Sequence, residues 1–268
     1  MANHVLVAGG TGTLGRAVVE RLVAAGANVR VLSRGRRRQQ SNVEHVGGDV
    51  RSGEGLDAAA AGIDTVVQCV DPARHVVGAA QRAGVAHLVY TSIVGIDRVP
   101  LGYYRRKLDD ERLIAESGVP WTVLRATQFH DLIAVLLRLL AKPPVVALPA
   151  GWRYQPVDVS EVGARLARLA LGEPVGRAPD FGGPQVRTAT DLAQSYLAMV
   201  GKRRPLVDVW MPGGVFRAFR RGGHLTPENA YGTITFEQYL AGQLAAGRLP
   251  YHDAIYDYLR RRPPKEAG

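Results

Sequence analysis

The sequence predicts an α/β protein whose core is a parallel sheet covered by helices on both faces. Three observations point there. Short apolar runs alternate with helix-period segments through the first 125 residues. A glycine-rich turn separates the first run from the first helical segment. The runs are continuously apolar, as strands buried on both faces are, and strands that alternate with helices build parallel sheets.

In order, His4 to Ala8 is the first strand and Gly9-Gly10-Thr11-Gly12 the turn. Leu14 to Ala25 follows as a helix stopped by Gly26, and Val29 to Ser33 as the second strand. Val43 to Val46 makes a third strand closed by Gly47-Gly48-Asp49, and Thr65 to Val70 a fourth. A helix from about Pro72 to Ala83 leads to the fifth strand, His87 to Thr91. A helix from about Tyr103 to Ser117 precedes the sixth, Trp121 to Arg125. Beyond it the rhythm loosens. Pro143-Pro144, Pro149-Ala150-Gly151 and Gly182-Gly183-Pro184 mark turns, with helices expected over Val159 to Leu171 and Thr190 to Val200. The tail from Arg261 to Gly268 is expected to fray.

Composition bounds the function. The 268 residues are 46% hydrophobic and 22% charged, values of an ordinary globular protein. The single cysteine, Cys69, excludes an internal disulfide framework and fits a reducing compartment. The N-terminus lacks a basic region followed by a long apolar stretch, so no signal peptide is read. The apolar run from Leu132 to Ala141 is interrupted by Arg138 and too short for a bilayer, and reads as a helix packed on the body. A cytoplasmic protein, monomer or homodimer, with no membrane partner is expected.

The formal charge of +10 raises the question of nucleic acid. The arginine knots, Arg34 with Arg36 to Arg38, Arg203-Arg204, Arg220-Arg221 and Arg260 to Arg262, are scattered, and no aromatic residues interleave them. We read a solvated arginine-rich surface with one cluster serving a phosphate, and expect no nucleic-acid partner.

Gly9, Gly12 and Gly15 form G-x-x-G-x-x-G directly between a strand and a helix. The spacing suits a sharp turn, a backbone approaching a pyrophosphate, and a helix packed close to its strand. The phosphates would then meet free N–H groups at the positive end of the helix. This is the pattern of a Rossmann-type dinucleotide site. An acidic residue about 20 residues on would bond the ribose 2′-hydroxyl of NAD. Ser33-Arg34 stands there instead, followed by Arg36 to Arg38. An arginine fork suits a 2′-phosphate, so NADP(H) is the expected cofactor. Asp49 either reaches the adenine edge or forms a turn.

Tyr103 and Lys107 lie four apart at the start of a helix and share one face. Lys107 is the only lysine in the first 141 residues. An ammonium there can bond ribose hydroxyls and acidify a nearby phenol, whose unperturbed pKa is about 10. The phenol can donate a proton to a carbonyl that receives hydride, and Ser92 at the end of the fifth strand can hold the same oxygen. The other reading makes Tyr103 and Tyr104 packing aromatics and Lys107 a surface charge. His130-Asp131 either lines the substrate pocket or is a core histidine beside a helix-start aspartate. Trp152, Trp210, Met211 and Phe216 are read as pocket wall or plain core. The seven histidines show no metal-ligand spacing.

The segments VLVAGGTGTLGR (5–16), GGDV (47–50), YTS (90–92), YYRRK (103–107) and VPWTVLRATQF (119–129) resemble the atypical short-chain dehydrogenase/reductases, nearest to the NmrA-like and NAD(P)H-binding branch. Gln68-Cys69-Val70-Asp71 replaces the Asn-Ala-Gly stretch of standard members, which favours the atypical branch. The resemblance implies that Gly9, Gly12 and Gly15 cradle the pyrophosphate and that Lys107 holds the nicotinamide ribose. It implies that Thr127-Gln128-Phe129 lies beside the nicotinamide and that Tyr103 matches the proton donor. The candidate cofactor-binding set is Gly9, Thr11, Gly12, Thr13, Leu14, Gly15, Ser33, Arg34, Asp49, Val50, Val70, Lys107, Thr127, Gln128 and Phe129. The catalytic set is Tyr103, Lys107 and Ser92.

The expected protein is a Rossmann-type doubly wound sheet with a small C-terminal lobe. Residues 1–150 form the NADP-binding domain and 151–268 a smaller substrate-facing lobe on the same core. The expected function is NADPH-dependent reduction of a carbonyl or conjugated double bond in a small apolar molecule. The alternative, which resemblance to NmrA-like proteins allows, is a non-catalytic NADP(H) sensor acting through a protein partner.

Overall fold

The structure is a computed structural model that describes residues 3–35 and 43–246. Arg36 to Arg38 and the expected tail lie outside the described residues. The first half runs β1 (His4–Ala8), α1 (Thr13–Ala24), β2 (Asn28–Ser33), β3 (Val43–Gly47), α2 (Leu56–Ala60) and β4 (Thr65–Gln68). It continues through α3 (Arg74–Ala83), β5 (His87–Ile93), α4 (Gly102–Ala115) and β6 (Trp121–Ala126). Then come α5 (His130–Leu140), β7 (Val146–Pro149), β8 (Arg153–Tyr154), α6 (Val159–Ala170) and β9 (Gly176–Arg177). Last are β10 (Arg187–Thr188), α7 (Ala189–Met199), β11 (Leu206–Val209), α8 (Gly214–Arg220) and α9 (Phe236–Ala245).

Seven strands form the main sheet in the order β3-β2-β1-β4-β5-β6-β9, and every neighbouring pair is parallel. The chain winds outward from β1 to β3, returns to β4 beside β1, and winds the other way. This is the expected doubly wound parallel sheet. The winding reverses between β1 and β4, and ligands of such sheets lie beyond the strands' carboxyl ends at that reversal.

Alternation along each strand builds two cores. Val5 and Val7 of β1 pack with Val18 of α1 and Leu166 of α6, while Leu6 and Ala8 join Leu56 of α2, Val77 of α3 and Ile114 of α4. Each such valine, leucine or isoleucine, fully buried, contributes about 1.5–3 kcal/mol. Past residue 150 the chain still feeds this layer, since β9 extends the sheet beyond β6. α6 lies so close to α1 that a Cβ on Gly163 would come within 2.7 Å of Ala17 Cβ. A third core joins α5, α7 and α9 to β7 through Leu137, Leu192, Leu240 and Leu148. A fourth, smaller one joins Ile96 and Val99, after β5, to Tyr104 and Phe219. No helix among the described residues is long and apolar enough to cross a membrane.

One buried cation ties β6 to α4 and to the loop after β5. The Arg125 side chain is only 5% exposed. Its Nε and Nη2 donate to the two Glu111 carboxylate oxygens at 2.8 and 2.7 Å, and Nη1 donates to Asp97 Oδ2 at 3.1 Å. Burial opposes the Arg125 charge, but Glu111 and Asp97 outweigh it and hold the guanidinium protonated. A forked guanidinium satisfies both carboxylates at once. Arg125→Met would leave Glu111 as an uncompensated buried charge. The expected loss, read from urea denaturation, is about 3 kcal/mol of stability; an unchanged midpoint would contradict this role.

Candidate functional site

The site begins where β1 ends. Gly9 has φ +84°, and its carbonyl accepts from Gly12 N at 2.9 Å, closing the turn. Gly12 is the N-cap of α1, extended and without a side-chain cap. A Cβ on Gly15 would collide with the Gly9 carbonyl oxygen and come within 2.7 Å of Gly10 Cα. The first turn of α1 carries no acidic residue, so its free N–H groups and positive end are left for an anion. Thr11, Thr13 and Leu14 supply the backbone of this cradle. The architecture fits a pyrophosphate. Arg16, which sequence reasoning passed over, donates from Nη1 to Thr11 O at 2.8 Å and sets a guanidinium beside the turn.

Gly9 also reaches across to the next strand. Its Cβ, if present, would lie 2.9 Å from Val70 Cβ. The Gln68 amide, fully buried, donates to Val70 O at 2.9 Å and Pro72 O at 3.1 Å, holding the loop after β4 against the turn. At the end of β2, Ser33 Oγ donates to Gly35 O at 2.8 Å, and Arg34 is exposed. Val50 is buried in the sheet's second core. Asp49 Oδ1 accepts from Arg51 N at 2.8 Å, the turn reading of that residue.

The expected catalytic pair meets through a third residue. Lys107, 7% exposed, donates from Nζ to Thr91 O at 2.7 Å and pairs with Asp71 Oδ1 at 2.8 Å. Tyr103 donates from its hydroxyl to Asp71 Oδ2 at 3.2 Å. The two side chains therefore converge on opposite oxygens of one carboxylate. The lysine charge is spent on that carboxylate, and the phenol that donates to it carries its proton. The Tyr90 hydroxyl also binds Asp71 Oδ1 at 3.0 Å, and Asp110 Oδ2 at 3.3 Å. Burial, with Asp71 and Asp110 beside it, drives the Tyr90 phenol well above its ordinary range, so it stays a donor. Asp110 is raised by burial first, and Asp71 adds to that. Burial likewise holds the Cys69 thiol at about 12, protonated and unreactive. Ser92 is 2% exposed, and its Oγ has no hydrogen-bond partner among the described residues.

Thr127, Gln128 and Phe129 follow β6. Thr127 Oγ1 donates to Gln155 O at 2.6 Å and accepts from Gly183 N at 3.2 Å. Gln128 Nε2 donates to His224 O at 3.3 Å, and Phe129 caps α5. Gln155, a second residue that sequence reasoning missed, is fully buried and donates to Gly183 O at 3.0 Å and Thr226 O at 3.1 Å. His130 is a core histidine: its Nε2 lies 2.9 Å from Ile234 O, and burial lowers its pKa. Asp131 is raised to about 7 by burial and by Asp158. Trp152 stacks on Phe219 at 4.4 Å, next to Phe216, whereas Trp210 is 65% exposed.

A sheet that reverses beside such a glycine turn defines a Rossmann-type dinucleotide-binding protein. Residues 9–144 match the NAD(P)H-binding family, and the chain belongs to it. The (4-alkanoyl-5-oxo-2,5-dihydrofuran-3-yl)methyl phosphate reductase of Streptomyces griseus is similar, with 32% identity over 222 residues and 75% of each chain covered. The NAD(P)H azoreductase of Xenophilus azovorans is 27% identical over 213 residues, covering 74% of each chain. The fold matches that of an NADPH-dependent quinone oxidoreductase from Escherichia coli, solved with NADPH. The TM-score is 0.76 at 20% identity, over 90% of this chain and 99% of that one. Family and relatives place this chain among the NAD(P)H-dependent oxidoreductases.

Gly15→Ala tests the cradle. The added methyl must push α1 away from β1, and the phosphate-facing N–H groups move with it. NADPH fluorescence titration is expected to show affinity falling by roughly two orders of magnitude, the scale of two lost hydrogen bonds to a charged group. Unaltered affinity would refute the assignment of the turn.

Proposed function

We propose that the protein is an NADPH-dependent reductase of a carbonyl or conjugated double bond in a small molecule. The observation that carries the reading is the convergence of Tyr103 and Lys107 on Asp71, one residue from the Val70 that packs on Gly9. A proton donor and a cation thus stand beside the pyrophosphate cradle. The Streptomyces relative supports the substrate class, since its name describes a dihydrofuranone bearing an alkanoyl group and a phosphate ester.

Bound NADPH supplies hydride from its nicotinamide ring. The chain supplies the rest. The N–H groups at Gly12 to Gly15 hold the pyrophosphate, and Ser33 with Arg34 holds the 2′-phosphate. Lys107 bonds the nicotinamide ribose while Thr91 and Asp71 fix its Nζ. Thr127, Gln128 and Phe129 close the nicotinamide side, and Val50 and Val70 flank the nucleotide. Tyr103 turns its hydroxyl from Asp71 to the substrate oxygen and gives up its proton as hydride reaches carbon. Hydride and proton together complete a two-electron reduction, and the Lys107 ammonium, by offsetting the Asp71 carboxylate, limits its repulsion of the phenolate until water restores the proton. Ser92, whose buried hydroxyl has no partner among the described residues, would hold the same substrate oxygen.

The alternative is a non-catalytic NADP(H) sensor, and one observation favours it. The Tyr103 hydroxyl is already engaged by Asp71. Turnover separates the two readings. NADPH oxidation followed by absorbance with a quinone, an azo dye and an alkanoyl dihydrofuranone is expected to reveal at least one substrate. Tyr103→Phe is expected to lower kcat by about 10²–10⁴-fold while leaving NADPH affinity intact. Binding of NADPH with no turnover across the panel would overturn the reductase and favour the sensor.

A further inference from the structure

A cleft of about 550 Å³ opens between the loop after β5 and α8, away from the glycine turn. Its walls include Arg98, Pro100, Arg217, Ala218 and Arg221, and its volume is in the range of small-molecule sites. Three arginines therefore line one concave space.

Those charges are poorly compensated. Arg98 reaches Asp97 only at 3.9 Å, and the other Asp97 oxygen is taken by Arg125 at 3.1 Å. Arg217 and Arg221 have no carboxylate partner among the described residues. They stand four residues apart at the end of α8, a spacing at which like charges repel. Arg220 between them turns elsewhere, donating to Met211 O at 2.9 Å and lying over the Trp210 ring. An arginine triad left unneutralised in a cleft lowers its own repulsion by taking an anion, and planar forks suit the oxygens of a phosphate.

The cleft also adjoins the proposed chemistry. Ala218 packs in one apolar cluster with Tyr103, Tyr104, Phe219 and Trp152. Pro100, on the cleft wall, stands three residues before Tyr103. A ligand whose reacting group meets Tyr103 would run past Pro100 and Ala218 and carry its charged end outward to the arginines.

We propose that this cleft is the substrate's anion subsite, built to hold a phosphate monoester. The site rests on the reductase reading for its role in turnover, and names the feature by which the substrate is selected: an apolar reacting end joined to a phosphate. It is distinct from the 2′-phosphate corner at Arg34, which lies at the end of β2 on the other side of the sheet reversal.

The test uses the full chain saturated with NADP⁺, so that the nucleotide site is filled, titrated by calorimetry with phenyl phosphate, benzoate and benzyl alcohol. Phenyl phosphate is expected to bind, and to bind more tightly than the other two. Arg217→Ala combined with Arg221→Ala is expected to weaken it by about tenfold or more, the scale of a lost charge-assisted contact, while NADPH affinity stays unchanged. Both arginines are exposed, so the variant should fold, and circular dichroism checks that it does. Equal binding of phenyl phosphate and benzyl alcohol, tighter binding of benzoate, or wild-type affinity in the folded double variant would each overturn the phosphate subsite. No step of this assay needs turnover. Arginine-dependent phosphate binding, together with no NADPH oxidation across the quinone, azo-dye and dihydrofuranone panel, would sink the reductase reading and leave the subsite standing.

Discussion

The contact between the Gly9 carbonyl and the first turn of α1 governs this molecule. There is no room there for even one methyl group on Gly15, so strand and helix meet at backbone distance. That closeness aims the helix's unpaired N–H groups beyond the carboxyl end of β1. The winding of the sheet reverses at the same place, so the crevice and the uncapped helix end coincide. Val70 presses on Gly9 from β4's side of the crevice. Through it the position of the whole β4–α3 loop, Asp71 included, is referred to the cradle.

Asp71 is the second organising centre. Its two oxygens accept from a phenol on one side and from an ammonium and a second phenol on the other. A carboxylate in such company is held in place more firmly than any one partner could hold it, and it spaces Tyr103 from Lys107. The neighbouring Asp110 shares the Tyr90 hydroxyl and anchors the start of α3 by accepting from Ala73 N at 3.2 Å. Tyr90, an interior strand residue with no exposed surface, thereby links the sheet's core to the polar cluster above it.

Much of this could be read from the chain. The strands of the main sheet up to β6, and α1, α3, α4, α6 and α7, lie within a few residues of their expected places, because continuous apolar runs and 3.6-residue periods leave few alternatives. The glycine turn was legible for a similar reason: three glycines at that spacing serve a steric need. Other features lay beyond sequence reasoning. α2 has five residues, too few to establish a period. Gln155 acts on Gly183 and Thr226, partners 28 and 71 residues away. Asp71 stood in view as part of Gln68-Cys69-Val70-Asp71, but a loop carboxylate's direction is set by tertiary packing. The one available signal was that an acidic residue follows the fourth strand, beside the spot where a lone lysine was expected. The arginines of the cleft come from segments more than a hundred residues apart, and in the sequence they read as ordinary surface charge.

The proposed function requires a dinucleotide seated at the first crossover with its extra phosphate against Arg34. Paired fluorescence titrations of the wild-type chain and Arg34→Ala with NADPH and NADH test this most directly. The wild type is expected to prefer NADPH, and the variant to lose about ten- to a hundredfold in NADPH affinity, the scale of a hydrogen bond to a charged group, with NADH affinity nearly unmoved. Equal losses for both coenzymes, or binding of neither by the wild type, would contradict it.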